Sequence, residues 1–252
     1  AGDRPHFVET ARIGRIRVVW WGLVGGFTIG TVEFVETNIA EGVETFHHRP
    51  FGGEGRQLWW PALPVAPVLV LGSTQSETAI DHTRRSERGI DLVRRRSGGG
   101  AVLVGAGELH WFDLVIDRDD PLWSEDVGQA FGWVGQVLQR ALSELGTNGT
   151  VHSGRLVRTE WSDRICFAGI GPGEVIADTG EKVAGVSQRR TRHAARFQCA
   201  VLKRWNAKVM VDLLNLGDND RERASQELRS AASGIEVPDA TFRSAISAAL
   251  PR

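Results

Sequence analysis

The stretch Arg94-Arg95-Arg96-Ser97-Gly98-Gly99-Gly100 sets three guanidinium groups beside three contiguous glycines. Glycine N–H groups in a tight loop make a concave anion site, and guanidinium groups add charge-assisted hydrogen bonds, so the pair suits a phosphate or a carboxylate. Consecutive side chains alternate in an extended segment, so at least one arginine must point to the covered face, where it needs a partner. A glycine-rich turn joining two strands also accounts for Ser97 to Gly100 with no ligand at all. The stretch is neither of two familiar nucleotide loops. It lacks the Gly-Lys-Ser/Thr ending of a P-loop, and its contiguous glycines are followed by a strand rather than by a helix.

Two further positions could do chemistry. Lys182, Lys203 and Lys208 are the only lysines of the chain, and Lys182 opens an apolar strand interrupted by Gly185 in "GEKVAGVSQRR". A solvated lysine on an edge strand is the plain reading; a lysine used as a point charge beside an anion is the functional one. Cys166, in "RICFAGIGPGEV", reads as part of a short apolar strand. Such a cysteine is inert core unless a neighbouring cation or base turns it into a nucleophile.

The elements that must position these groups follow from periodicity and turn chemistry. Val68 to Gly72 is a continuous apolar run, as in a strand buried on both faces. Ser76 to Arg88 is predicted as a surface helix closed by Gly89. Strands are predicted at Ile90 to Val93 and Ala101 to Val104, with the glycines in the hairpin turn between them, and at Glu108 to Ile116. Apolar residues at three- and four-residue steps predict a long helix from Ser124, its cap, to Gly146, its stop. Short strands follow at Arg164 to Phe167, Glu174 to Ala177, Lys182 to Ser187 and Ala195 to Leu202. Helices are expected around Val209 to Leu214, Arg221 to Ala232 and Ala240 to Leu250, the last started by Pro238-Asp239. This order describes an α+β fold with a mixed or mostly antiparallel sheet packed with helices.

Composition excludes several functions. Thirty Lys+Arg balance 31 Asp+Glu, so no global field draws the chain to nucleic acid or an anionic membrane. Cys166 and Cys199 lack metal or disulfide-framework spacing, and a reducing cytoplasm suits them. The most apolar stretch, Val18 to Val32, holds four glycines and is too short to span a bilayer; a buried hairpin of Val18 to Leu23 and Phe27 to Phe34 is expected there instead.

Four segments, in this order, resemble the catalytic domain shared by lipoate-protein ligases, biotin-protein ligases and octanoyltransferases: "VLGSTQS", "GIDLVRRRSGGGAV", "WSDRI" and "GEKVAGVSQR". The likeness runs from about Leu63 to Leu202 and is most specific to the lipoate-protein ligase A family. It implies the biotin/lipoate ligase fold over 46–204, an unassigned segment at 1–45 and a helical tail at 205–252. It further implies that lipoate or octanoate is activated by ATP and Mg²⁺ to an acyl-adenylate. The acyl group then passes to a lysine of a lipoyl carrier domain, such as that of a 2-oxoacid dehydrogenase E2 subunit or the glycine cleavage H protein. By the same likeness Gly98, Gly99 and Gly100 would floor the acyl-adenylate, Arg95 and Ser97 would contact its phosphate, and Lys182 would neutralise developing charge. Gly72 and Gln75 would form the turn after the first strand, Gly185 would complete the lysine strand, and Asp163 would serve the adenosine or Mg²⁺. Leu69, Leu71 and Val102 would line an acyl tunnel or form plain core.

The likeness has departures. "LVGAGEL" stands where these ligases carry an apolar residue and His-Asp. Cys166, 16 residues before Lys182, matches the nucleophile loop of one octanoyltransferase class that takes the acyl group from a thioester without ATP, although that class has arginine at the position of Gly100. A non-catalytic ligand-binding member of the fold is the remaining alternative.

Overall fold

The computed structural model describes residues 32–252 and a small ladder near the start of the chain. The hairpin expected from Val18 to Phe34 lies outside the described residues except for residues 32–34, which are not in a strand. The ladder pairs β1 (Arg12–Ile13) with β2 (Ile16–Arg17). Then come β3 (Val35–Ile39), α1 (Val43–His48), β4 (Gln57–Pro61), β5 (Val68–Leu71), α2 (His82–Glu87), β6 (Asp91–Arg94) and β7 (Val102–Val104). After β8 (Leu109–Asp117) follow α3 (Gly132–Glu144), β9 (Gly149–Val151), β10 (Val175–Ala177), β11 (Lys182–Arg190) and β12 (Ala194–Leu202). Three helices close the chain: α4 (Ala207–Asp212), α5 (Asp218–Glu227) and α6 (Asp239–Ala249).

A seven-stranded sheet runs β3-β4-β8-β12-β11-β10-β9, antiparallel throughout except for the parallel β3–β4 pair. A three-stranded sheet has the order β6-β5-β7. Side-chain alternation makes these sheets the inner layers of the molecule. On β8, Phe112, Leu114 and Ile116 join the core under α3 and α6, while Leu109, Trp111 and Val115 face the small sheet. On β5, Val68 and Val70 meet that second core, and Leu69 and Leu71 turn outward to a third one built with Ile165, Met210, Val211 and Leu228. The apolar run of β5 is thus covered on both sides. Leu69 and Leu71 are fully buried core packed with residues of α4 and α5.

β3 falls within the stretch 1–45 and forms the edge of the large sheet, and the C-terminal helices supply residues to two of the cores. Residues 231–233 pair with Lys182, whose N–H donates to the Ala231 carbonyl and whose carbonyl accepts from Ser233.

Four local expectations are corrected. β6 and β7 are not a hairpin: β5 lies between them, parallel to β6 and antiparallel to β7, so the glycine loop crosses the C-terminal end of β5. The predicted helix from Ser124 begins at Gly132, because Asp126 Oδ1 accepts the N–H groups of Gly128 (2.7 Å) and Gln129 (3.0 Å) and starts a separate turn. Ser76 to Arg88 is split by buried Ile80, which bridges to Leu214; Asp81 caps α2 after the break and Gly89 ends it at φ +63°. Arg164 to Phe167 is not a strand. Only Ile165 bridges, to Ala101, and Cys166 to Ala168 form a tight turn.

Candidate active site

The arginine triplet alternates as expected: Arg95 is buried, Arg96 is exposed and Arg94 is partly exposed. Arg95 meets carbonyls rather than an anion. Its Nη2 donates to Gly98 O (2.7 Å) and Gly100 O (2.9 Å), and its Nε to Gly98 O (3.2 Å). The third glycine carbonyl, that of Gly99, packs on Gly72, leaving no room there for a side chain on Gly72. With the carbonyls so engaged, the N–H groups of Gly98, Gly99 and Gly100 donate to no protein acceptor among the described residues. The loop is therefore a shelf of free amides held from below by a guanidinium. Burial pushes the Arg95 guanidinium below its ordinary range, and the charge of Cys166 opposes that shift.

Ser97 is also turned inward. Its Oγ donates to Gln198 Oε1 (2.8 Å) and lies 3.0 Å from Ser187 Oγ. Arg95 and Ser97 thus fix the loop through contacts within the protein. Gln75 ties the loop's neighbour in place: its Oε1 accepts from Gly72 N (3.0 Å) and its Nε2 donates to Arg164 O (2.9 Å).

Gly100 is the hinge between this shelf and Cys166. A β-carbon on Gly100 would stand 2.6 Å from the Ile165 backbone and 2.7 Å from Cys166 N, closer than atoms tolerate. Ala101 N donates to Arg164 O and Cys166 N to Ala101 O, each at 2.9 Å, so the cysteine turn is laced to the glycine loop. A β-carbon on Gly98, by contrast, would meet nothing within 4 Å, so the protein's own packing does not require a glycine there. That bare position is open to a ligand.

Lys182 is fully buried at the start of β11. Its Nζ donates to Cys166 O (2.9 Å) and Gly169 O (3.0 Å), pairs with Glu174 Oε2 (2.6 Å) and lies 4.9 Å from the Phe167 ring centre. Glu174 also accepts from Gly171 N (2.6 Å) and Val186 N (3.3 Å). Such a pair is tolerated in a low-dielectric interior because every charge has partners. Gly185 gives the lysine room, since a β-carbon there would stand 3.3 Å from Lys182 Cε. Sequence reasoning missed Glu174. The available signal was a carboxylate between a Pro-Gly turn and an apolar strand, near the one lysine that also opens a strand.

These parts surround an open pocket of about 590 Å³, bordered by Gly98 to Gly100, Asp163, Cys166, Glu174 and Lys182. A narrow recess of about 50 Å³, room for a few waters, opens beside it. The recess is lined by Val102, Val104, Leu109, Trp111 and Ala200 with His47, Arg95 and Gln198. Cys166 borders both spaces. Among the expected tunnel residues only Val102 lines the recess.

Asp163 stands at the rim, largely exposed, its carboxylate paired with Arg158 at 3.0 and 3.3 Å. No group of three or more His, Cys, Asp or Glu able to hold a metal ion exists among the described residues, and the one carboxylate expected to serve Mg²⁺ is already neutralised by an arginine. The pocket's two carboxylates, Asp163 and Glu174, are both paired with cations, so a Mg²⁺ ion there would be held mainly by substrate phosphates. The free glycine amides do fit an anionic group such as a phosphate. No helix among the described residues is long and apolar enough to cross a membrane.

Two mixed sheets between helices set a basic glycine loop opposite a buried lysine across a pocket. The chain belongs to the lipoyl protein ligase A/B catalytic domain family, whose model matches residues 59–241. It is 28% identical over 173 residues to octanoyltransferase LipM of Moorella thermoacetica, covering 68% of this chain and 62% of that relative, so it spans less than two thirds of LipM's length. Its fold is that of a bipartite lipoate protein ligase from Thermoplasma acidophilum, studied with its E2 lipoyl domain (TM-score 0.67, 17% identity, 86% of this chain and 81% of that one). A lipoate-protein ligase A bound with ATP is similar too (TM-score 0.59, 19% identity, 85% and 81% covered).

Proposed function

We propose that this chain is an acyltransferase of the lipoylation class in which Cys166 takes an octanoyl or lipoyl group from a carrier thioester and passes it to a lysine of a lipoyl carrier domain. The observation that carries this reading is the position of Cys166. With Val186 and Ser187 it lines both the polar pocket and the apolar recess, and of the three it alone carries a thiol; Gly100 and Lys182 both act on its backbone. The similarity to LipM supports it.

In the first step the Cys166 thiolate attacks the thioester carbonyl; a new C–S bond forms, the old one breaks, and the carrier leaves as a thiol after taking up a proton. In the second, the acceptor lysine amine attacks the acyl-cysteine, an amide forms, and Cys166 is released. Arg95 lies buried beside the recess and braces the glycine loop against the Cys166 turn. Lys182, held by Glu174 and by the Cys166 and Gly169 carbonyls, would fix the Cys166 turn in place in both steps. The apolar lining of the recess offers the chain its contacts, and the recess, now room for a few waters, would widen to take it.

A second reading is favoured by the free amides of Gly98 to Gly100, which suit the phosphate of an acyl-adenylate formed from lipoate or octanoate and ATP. One turnover assay separates the two. Octanoyl-carrier thioester without ATP, and lipoate with MgATP, are each offered with a lipoyl domain to wild type and Cys166→Ser. ATP-independent transfer that disappears in Cys166→Ser supports the transferase; ATP-dependent transfer that survives it refutes the covalent route.

A further inference from the structure

The recess beside Cys166 contains one buried polar group that the protein leaves without a partner. His47, on α1, is 4% exposed and lines the recess, and its Nε2 has no hydrogen-bond partner among the described residues. A chain of hydrogen bonds fixes its proton. Ser97 Oγ donates to Gln198 Oε1 (2.8 Å), so the Gln198 amide nitrogen faces His47 Nδ1 (2.9 Å) and the Asp113 carboxylate (3.5 Å). The reverse amide orientation would set the Gln198 oxygen against that carboxylate. Nδ1 therefore accepts, and the imidazole proton sits on Nε2 as a free donor. Asp113 is in turn held by Arg196 Nε (2.5 Å) and Trp111 Nε1 (2.7 Å), so the chain is anchored at its end. A buried N–H with no acceptor is costly to keep, and the remaining lining of the recess is mostly apolar.

His47 borders the recess but not the polar pocket where Cys166, Lys182 and the glycine shelf meet. The ring thus lies on the chain side of the acyl group, away from the reacting carbonyl, with Nε2 itself closed to water until a chain enters. We infer that His47 is a specificity-determining residue that donates from Nε2 to an acceptor atom carried by the acyl chain, which favours a chain with a ring sulfur, the lipoyl group, over the all-carbon octanoyl chain. This rests on reading the recess as the acyl site. His47 lies outside the residues that match the family model, and the relay ties it to Ser97 of the glycine loop.

The test uses the full chain with two probes, lipoic acid and octanoic acid, followed by calorimetry and by imidazole ¹H–¹⁵N spectra. Lipoate is expected to bind roughly three- to tenfold tighter than octanoate, the range of one net hydrogen bond. That preference should vanish in His47→Leu, and the Nε2–H signal of His47 should move with lipoate and stay put with octanoate. Among the buried histidines the signal is recognisable without a variant, since His47 is protonated at Nε2 whereas His110 pairs through Nδ1 with Asp239. If His47→Leu does not fold, the wild-type spectra alone decide. Equal movement with both acids, movement with neither, or a preference that survives His47→Leu overturns the inference, as does failure of both acids to bind. Lipoate that engages His47 in a protein without transfer activity refutes the proposed reaction and leaves this inference standing. Transfer without any lipoyl preference does the opposite.

Discussion

Replacing Lys182 alone does not cleanly test its chemistry, because the lysine also neutralises Glu174. The side chains are 1% and 7% exposed and 2.6 Å apart. Lys182→Met leaves a buried carboxylate with only the Gly171 and Val186 N–H groups, and Glu174→Gln leaves a buried ammonium with two carbonyls. Removing one partner of such a pair costs about 3–5 kcal/mol, whereas replacing both with neutral groups is often close to neutral. In a chain of this length each kcal/mol lowers Tm by roughly 2–4 °C, so each single variant should melt roughly 6–20 °C below wild type. The double variant should recover to within about 2 kcal/mol of wild type and still fail to transfer an acyl group. Circular-dichroism melts of the four proteins, with the transfer assay on each, measure both. Single variants that melt like wild type, or a double variant whose loss equals the sum of the singles, would refute the buried-pair reasoning. A double variant with full activity would remove Lys182 from the mechanism.

Three further outcomes are expected. Gly100→Ala forces the glycine loop off the Ile165–Cys166 backbone; it should cost about 1–3 kcal/mol and speed labelling of Cys166 by a thiol reagent, and an unchanged labelling rate contradicts the hinge role. Arg95→Met removes the donors to Gly98 and Gly100 and should lower stability by about 2–4 kcal/mol in urea titration, with no loss if the guanidinium serves only a ligand. Burial lowers the pKa of His47 to about 3 and of His110 to about 4 from 6.5. The unfolded chain therefore binds protons that the folded chain refuses, so the stability these groups contribute is full above pH 6.5 and is lost as pH falls toward 4. The loss should approach about 3 kcal/mol per pH unit for the two together, and a flat profile from pH 6.5 to 5 would contradict it.

What the sequence disclosed divides along physical lines. Strands such as β5, β8 and β12 are mostly apolar segments bounded by turn residues, and the alternation that buries Arg95 follows from strand geometry alone. Pairing order is another matter: periodicity shows that β6 and β7 are strands but carries no information that β5 inserts between them. The tight turn at Cys166 is held by contacts with Gly100 and Lys182 that are distant in sequence, so Arg164 to Phe167 read as a strand. Lys182, Cys166 and the glycines were legible because scarce or unusual residue types mark them. Glu174 and His47 were not, since one glutamate and one histidine look ordinary until the fold buries them beside a lysine and a cavity.

The central claim is that Cys166 carries the acyl group, and intact-protein mass spectrometry tests it most directly. After incubation with octanoyl-carrier thioester and no nucleotide, the account predicts the mass increase of one octanoyl group, mapped to Cys166, absent from Cys166→Ser and discharged when a lipoyl domain is added. No adduct on wild type, with transfer to the lipoyl domain still occurring in Cys166→Ser, would contradict it.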